Sequence, residues 1–327
     1  MFQKTSPHLL AVLQALFVTF LWSTSWVFIK IGLEDIPALT FAGLRYALAF
    51  LILLPVLIVR REHRALRRLG RRDWLQLILL GLLLYSVTQG AQFLALDLLP
   101  AATLSLLLNF TTVAVAVMGI VLLAERPTWQ QWLGTALFLL GTVIYFYRDV
   151  AGGMAAESAP LLGLLIAGIG VLANAASAVL GRAVNRHERL TPLLITVVSM
   201  GIGAAVLLLS GIIVQGLPPL SPRSWLIIAW LAVVNTAFAF TLWNKTLRKL
   251  SAVESSIINN TMLIQIAVLA WIFLDERLQP MEIAGLLLAA FGILLVQLRR
   301  TRREATAPST VAPEESPGLT GEFQEPV

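Results

Sequence analysis

The 327-residue chain contains no cysteine. Disulfides, thiolate metal sites and cysteine nucleophiles are thereby excluded. Histidine is nearly absent: His8, His63 and His187 all lie outside the apolar stretches. They neither cluster at metal-ligand spacing nor offer a buried imidazole for proton relay. Charge is scarce too, at 13% of residues, where soluble domains carry roughly 25%. No Gly-x-x-x-x-Gly-Lys-Ser/Thr loop occurs, so the usual phosphate cradle of an ATP-driven pump is missing. The first apolar stretch lacks a small-residue cleavage site and is followed by Lys30 and further apolar runs. It reads as a helix that stays, not as a signal peptide. No metal or cofactor is expected.

What the chain has in excess is apolar surface: 58% of its residues are hydrophobic, against roughly 45–50% in soluble domains. A water-soluble core could not absorb that surplus, so lipid is the implied second solvent. A spanning helix needs about 20 mainly apolar residues. Such spans are expected near 9–29, 37–59, 74–96, 101–123 and 129–147, then near 161–181, 192–214, 224–243, 255–274 and 281–298. Each must be helical, because in lipid the backbone has to satisfy its own hydrogen bonds. The fold class is therefore an all-α integral membrane protein of about ten transmembrane helices. Pro37, Pro100, Pro127, Pro160, Pro192, Pro222 and Pro280 fall where these helices should start, and Trp74, Trp129 and Trp225 sit at interface depth.

Placing the N-terminus in the cytoplasm puts nineteen of the 24 lysines and arginines on inside segments. Only Lys30, Arg148, Arg223 and Arg277 fall outside, with Arg45 inside a span. This asymmetry sets both termini in the cytoplasm of a multi-pass protein of the cell membrane. It also accounts for the net charge of +6 without nucleic acid. The basic stretch 60–72 reads first as a topology signal touching anionic headgroups of membrane lipid, with a regulatory or partner site as the other reading. Residues 301–327, rich in Pro, Glu, Thr and Ser, read as a disordered cytoplasmic tail.

The chain repeats itself at an offset of 151 residues. Ser105 and Asn109 align with Ser256 and Asn260, Ala116 and Val117 with Ala267 and Val268, and Glu125-Arg126 with Glu276-Arg277. Gly134 and Gly141 align with Gly285 and Gly292, completing a set that holds ten identities without a gap over residues 105–145. Two halves follow, 1–150 and 151–300. Five helices per half is an odd number, so the second copy should enter the membrane in the opposite sense, the 5+5 inverted repeat of many secondary transporters. A duplicated scaffold without a transport cycle is the other reading.

Leu21-Trp22-Ser23 with Lys30, Leu44-Arg45, and the two Glu-Arg pairs each followed eight residues later by Gly134 or Gly285 form an ordered set. On it the sequence resembles the drug/metabolite transporter superfamily, in the type with two EamA domains, over residues 10–298. The resemblance implies ten helices, an inverted repeat and transport of a small polar metabolite or drug, commonly outward. The family often carries a proline in helices 4 and 9 about thirteen residues before the Glu; here those positions hold Thr112 and Leu263.

A transport site near the midplane should show as polar side chains at mid-span. The candidates for substrate binding are Trp22, Ser23 and Trp26 in helix 1, Gln89 and Gln92 in helix 3, and Asn109 in helix 4. Asn174 in helix 6, Asn235 in helix 8, and Asn260 and Gln265 in helix 9 complete the set. Their competing role is interhelical glue, each bond contributing about 0.6 kcal/mol. Arg45 lies about 12 Å below the external start of helix 2 at the helical rise, either a structural cation or an anchor for a substrate carboxylate. Lys30 reads as a side chain snorkelling to the interface. Glu125 and Glu276, in turns before Pro127 and Pro280, read as structural caps of the following helices. The glycine pairs suit close helix packing, inside the bundle or between the protomers of a homodimer.

The function expected is a secondary transporter working by alternating access, an exporter of small polar metabolites, amino acids or drugs, and not an enzyme. A membrane-embedded enzyme acting on a lipid-linked substrate is the alternative. It would need a carboxylate cluster or a catalytic His or Cys at the interface.

Overall fold

The structure is a computed structural model that describes residues 7–123, 128–151, 158–186, 190–247, 249–250 and 252–306. Ten helical rods follow one another: α1 (Pro7–Gly32), α2 (Ala38–Val59), and α3, which runs from Arg71–Gly81 through a π-turn at Leu82–Thr88 into Gln89–Leu98. Then come α4 (Ala101–Leu108, a turn at Asn109, Phe110–Leu123), α5 (Trp129–Ala151), α6 (Ser158–Arg186) and α7 (Pro192–Gln215). The last three are α8 (Pro222–Ala232, a π-turn at Val233–Phe238, Ala239–Leu247), α9 (Ala252–Phe273) and α10 (Pro280–Thr306). A short 3-10 helix, Glu62–Arg68, lies in the basic stretch. No strand occurs among the described residues.

The starts obey local chemistry. Pro37 and Pro100 precede α2 and α4, while Pro192 and Pro222 open α7 and α8 behind Thr191 and Ser221. Proline has no N–H to lose at a first turn, and the hydroxyls of Thr191 and Ser221 accept from Leu194 N (3.2 Å) and Ser224 N (3.1 Å). Pro127 lies outside the described residues. The expected tail needs one correction: residues 301–306 continue α10, whose backbone bonding runs past the last apolar turn, and the remainder, 307–327, lies outside the described residues.

Among the described residues, five helices are long and apolar enough to cross a membrane: His8–Gly32, Ala38–Val59, Arg71–Leu98, Leu161–Gly181 and Pro192–Gln215. Ala101–Val115, Ile257–Phe273 and Pro280–Val296 are shorter apolar stretches. Large apolar side chains such as Leu13, Phe17, Leu51, Ile213, Leu226 and Trp271 stand exposed on the outside of the bundle. In water such a surface would be an aggregation liability; against acyl chains it costs nothing.

The repeat governs the packing. α5 packs on α10, α2 on α7 and α4 on α9, each helix against its equivalent in the other half. All three pairs run antiparallel. A Cβ added at Gly134 would meet Gly292 O at 2.6 Å, and one added at Gly141 would meet Gly285 O at 2.6 Å. In the α2·α7 pair Gly43 meets Leu208 and Gly211 meets Thr40, while the start of α4 lies against the end of α9. The cross-contacts are paired too: α1 packs on α9 as α6 does on α4, and α1 on α8 as α6 does on α3. The π-turns begin 151 residues apart, at Leu82 and Val233, the offset found in the sequence. The largest apolar cluster joins α1, α2, α3, α4, α6, α7, α8 and α9 around Phe41, Phe93, Leu96 and Ile228, and a second joins α4, α5, α9 and α10 around Phe138.

Candidate functional site

The mid-helix polar residues fall into two groups, those spent on helix contacts and those left open. On the α1·α9 seam the Ser23 hydroxyl donates to Gln265 Oε1 at 3.0 Å, and Gln265 Nε2 donates to Thr261 Oγ1 at 2.9 Å and Thr19 Oγ1 at 3.3 Å. On the equivalent α6·α4 seam Asn174 Nδ2 donates to Thr111 Oγ1 at 3.3 Å. Ser23 and Asn174 stand 151 positions apart, so the same position of each half makes a cross-helix bond, to partners that are not themselves repeat mates.

Trp22 and Asn235 bind each other's helices. Trp22 Nε1 donates to the Asn235 main-chain carbonyl at 3.1 Å, while the Asn235 amide donates to the hydroxyl of Ser25 at 2.7 Å and to the Leu21 carbonyl. Asn235 lies in the π-turn, so the indole bonds the backbone of that turn. Trp26 is buried in the main apolar cluster and packs there. Asn109 Nδ2 turns back to the Ser105 carbonyl of its own helix, at 2.8 Å.

The open group is smaller. Gln89 and Gln92 are half-buried and make no side-chain hydrogen bond among the described residues. Asn260 Nδ2 is buried without a partner. Arg45 is 6% exposed, yet its bonds are long: Nε and Nη2 both point at Thr236 Oγ1, at 3.4 Å each. Its guanidinium carbon lies 5.2 Å from the centroid of the Tyr46 ring, a cation–π distance. Tyr46 meets Tyr85 edge-on at 5.6 Å, and neither hydroxyl has a partner among the described residues. Tyr85 and Thr236 occupy equivalent positions in the two π-turns, so each turn contributes one residue to the series Tyr85–Tyr46–Arg45–Thr236. Each turn is braced by a threonine, Thr88 Oγ1 donating to Leu83 O at 2.7 Å and Thr236 Oγ1 to Leu231 O at 2.9 Å.

The helix ends form a separate feature. Lys30 Nζ donates to the carbonyls of Leu96 (2.6 Å) and Leu99 (3.0 Å), the last turn of α3. Glu276 accepts from Ala101 N (2.8 Å) and Ala102 N (3.3 Å), the first turn of α4. Both positions differ from the sequence reading. Lys30 turns onto a helix terminus rather than outward to an interface, and Glu276 meets α4 of the other half rather than the α10 that follows it. The α10 start is served instead by Glu282 Oε2, which accepts from Gln279 N at 2.7 Å. In each case the orphan groups of a tertiary neighbour lie closer than the interface or the next helix in sequence. Glu125 lies outside the described residues.

A family model described as "EamA-like transporter family" matches the chain twice, over residues 9–147 and 161–298. The chain belongs to the EamA-like transporter family. It is therefore a multi-pass membrane protein of transporter lineage. It is 26% identical to an S-adenosylmethionine/S-adenosylhomocysteine transporter of Chlamydia trachomatis serovar L2, over 84% of each chain. It is 27% identical to a "Probable terminal-alkyne amino-acid exporter" of Streptantibioticus cattleyicolor, over 88% of this chain and 94% of that protein. A crystal structure at 18% identity superposes on 88% of this chain and 97% of that one with a TM-score of 0.61, which speaks for the fold.

In this EamA-family chain, sequence reasoning found Arg45 but missed Tyr46, Tyr85 and Thr236, the groups around it. The signal was present. Two of the four tyrosines fall in mid-helix instead of at the interfaces that tyrosine favours, and Tyr85 and Thr236 share the repeat offset. What could not be read was the π-turn at each site, which moves these side chains off the face an α-helix would give them.

Proposed function

We propose that this protein is a secondary transporter that moves small polar solutes, amino acids or related metabolites and drugs, outward across the cell membrane by alternating access. In this reading the ten rods span the bilayer, both termini are cytoplasmic and the two halves have opposite orientation. The observation that carries it is the antiparallel packing of repeat mates, α2 on α7, α4 on α9 and α5 on α10, with a buried Arg45 beside one of the two matched π-turns. Two inverted copies of one unit can exchange conformations and so expose one central site to each side in turn. The relatives named for S-adenosylmethionine and for an amino acid support a small-molecule cargo with an amino-acid head.

The test uses purified full-length protein in liposomes loaded with labelled amino acids and nucleoside-bearing amino acids. Efflux that saturates and is accelerated by the same solute outside is expected; flux equal to empty liposomes for every solute would end the transporter reading. Orientation is read separately, because the chain has no native cysteine. In cells, an impermeant maleimide should reach Pro219→Cys from outside and Ala65→Cys only after lysis, and the reverse pattern would invert the topology.

A further inference from the structure

Resting on the transporter reading, we propose that Arg45 is the carboxylate anchor of the cargo, which makes the transported class small carboxylic acids, amino acids among them, bound beside Thr236 of one π-turn and the Tyr46–Tyr85 pair that reaches the other. A buried arginine that serves structure alone spends its donors on carbonyls or carboxylates. This chain provides the contrast internally. Lys30 is such a residue, with two main-chain carbonyls within 3.0 Å. Arg45 is more deeply buried and has no such acceptors. Two of its five N–H groups share one hydroxyl at 3.4 Å, and the others meet no acceptor among the described residues. The ion pairs found there, His8 with Glu254 and Arg277 with Asp275, lie elsewhere.

The Tyr46 ring stabilises the guanidinium from one face and leaves its donor edge available. A planar fork of donors at fixed geometry matches a carboxylate, which accepts two parallel bonds. A single positive charge balances a monoanion, whereas a phosphate dianion would carry net charge into the interior. The hydroxyls of Tyr46 and Tyr85 add neutral donors beside it. Gln89 and Gln92, in the α-helical segment that follows the π-turn, share a face with each other and offer unpaired amides to the rest of a polar solute. The anchor meets Thr236 directly and Tyr85 through the Tyr46 ring, so repeat mates from the two halves stand on either side of it.

Liposomes holding the full-length protein are loaded in turn with each of the twenty L-amino acids, with its primary amide, with its decarboxylated amine, and with inorganic phosphate. Acids should leave and their amides and amines should not. Arg45→Gln should lower acid efflux roughly 100-fold, as loss of a desolvated charge partner does, and should raise the amide-to-acid ratio. A purely structural role would lower both solutes together and leave that ratio unmoved. Should Arg45→Gln fail to give monodisperse protein, Arg45→Lys and Thr236→Val are read through the same ratio. Amides or amines that move as fast as acids, an unchanged ratio in every variant, or phosphate moving in preference to carboxylates would overturn the assignment. Absence of any flux from the unaltered protein would instead remove the transporter reading on which it stands.

Discussion

The helix pair α5/α10 and the pair α4/α9 are both made of repeat mates, and they behave differently. α5 and α10 solve one problem in one way: Gly134 and Gly141 lie against Gly292 and Gly285, so each backbone fits the other at equivalent glycines. α4 and α9 share Ser105/Ser256 and Asn109/Asn260, yet α4 is interrupted at Asn109 and α9 runs unbroken through Asn260. Asn109 has folded its amide onto the Ser105 carbonyl, whereas Asn260 Nδ2 is buried and unpartnered. One motif thus occupies two conformations in a single molecule. They differ by about one hydrogen bond, a net effect of roughly 1 kcal/mol, which is small enough for surroundings to decide. The glycine seam is the same in both halves, and the Asn109/Asn260 pair is not.

The comparison breaks most visibly at the seam. Gly285→Leu places carbon where Gly141 O and Tyr145 N already lie at 2.6 Å, and overpacking against backbone should cost about 3 kcal/mol or more. Size-exclusion profiles should show loss of the monodisperse species. Gly168→Leu, with nothing within 4 Å of its added carbon, should leave the profile unchanged; equal damage from both would deny the seam its special fit.

The variable pair is sharpened by matched alanines. Asn109→Ala removes a bond and should lower stability by about 1 kcal/mol, while Asn260→Ala removes an unpaired buried donor and should be neutral or stabilising by a similar amount. Thermal melts of the two variants decide it. Transport should fall in Asn260→Ala at undiminished Tm, and identical melts would erase the distinction between α4 and α9.

The smallest effect lies in the two polar seams. Double-mutant cycles for Ser23 with Gln265 and for Asn174 with Thr111 should each give a coupling of about 0.6 kcal/mol. A coupling confined to one seam would show that the halves are held together unequally.

Most of the architecture was legible because it rests on length, apolarity and the 151-residue offset, which depend on no tertiary detail. Each expected span from 9–29 to 281–298 lies within one rod, to within a residue at either end, and the prolines at 37, 100, 192, 222 and 280 stand at helix starts. The site was harder to read. An amide in mid-helix looks the same in sequence whether it bonds a neighbouring helix, as Gln265 and Asn174 do, or stays open, as Gln89 does. Which it becomes depends on where the rods touch, and that is set by glycines and π-turns far from the amide in sequence. For the same reason the partners of Lys30 and Glu276 could not be foreseen: both are tertiary neighbours at the α3–α4 corner.

That corner has an energetic meaning beyond its hydrogen bonds. Two exchangeable halves with identical residues at every matched position would give a carrier two end states of equal energy. Position 30 breaks the degeneracy, for the residue 151 places on is Gly181, which has no side chain with which to grip a helix end. Lys30 on α1 and Glu276 after α9 come from different halves and hold adjoining turns, the end of α3 and the start of α4. In the proposed alternating-access cycle, a fastening held by Lys30 and matched by Gly181 would weight the equilibrium toward the form that keeps it closed. Each 1.4 kcal/mol of such weighting changes the populations about tenfold. In that proposed cycle a cargo that binds both forms equally would leave the ratio untouched, so the bias would belong to the protein rather than to what it carries.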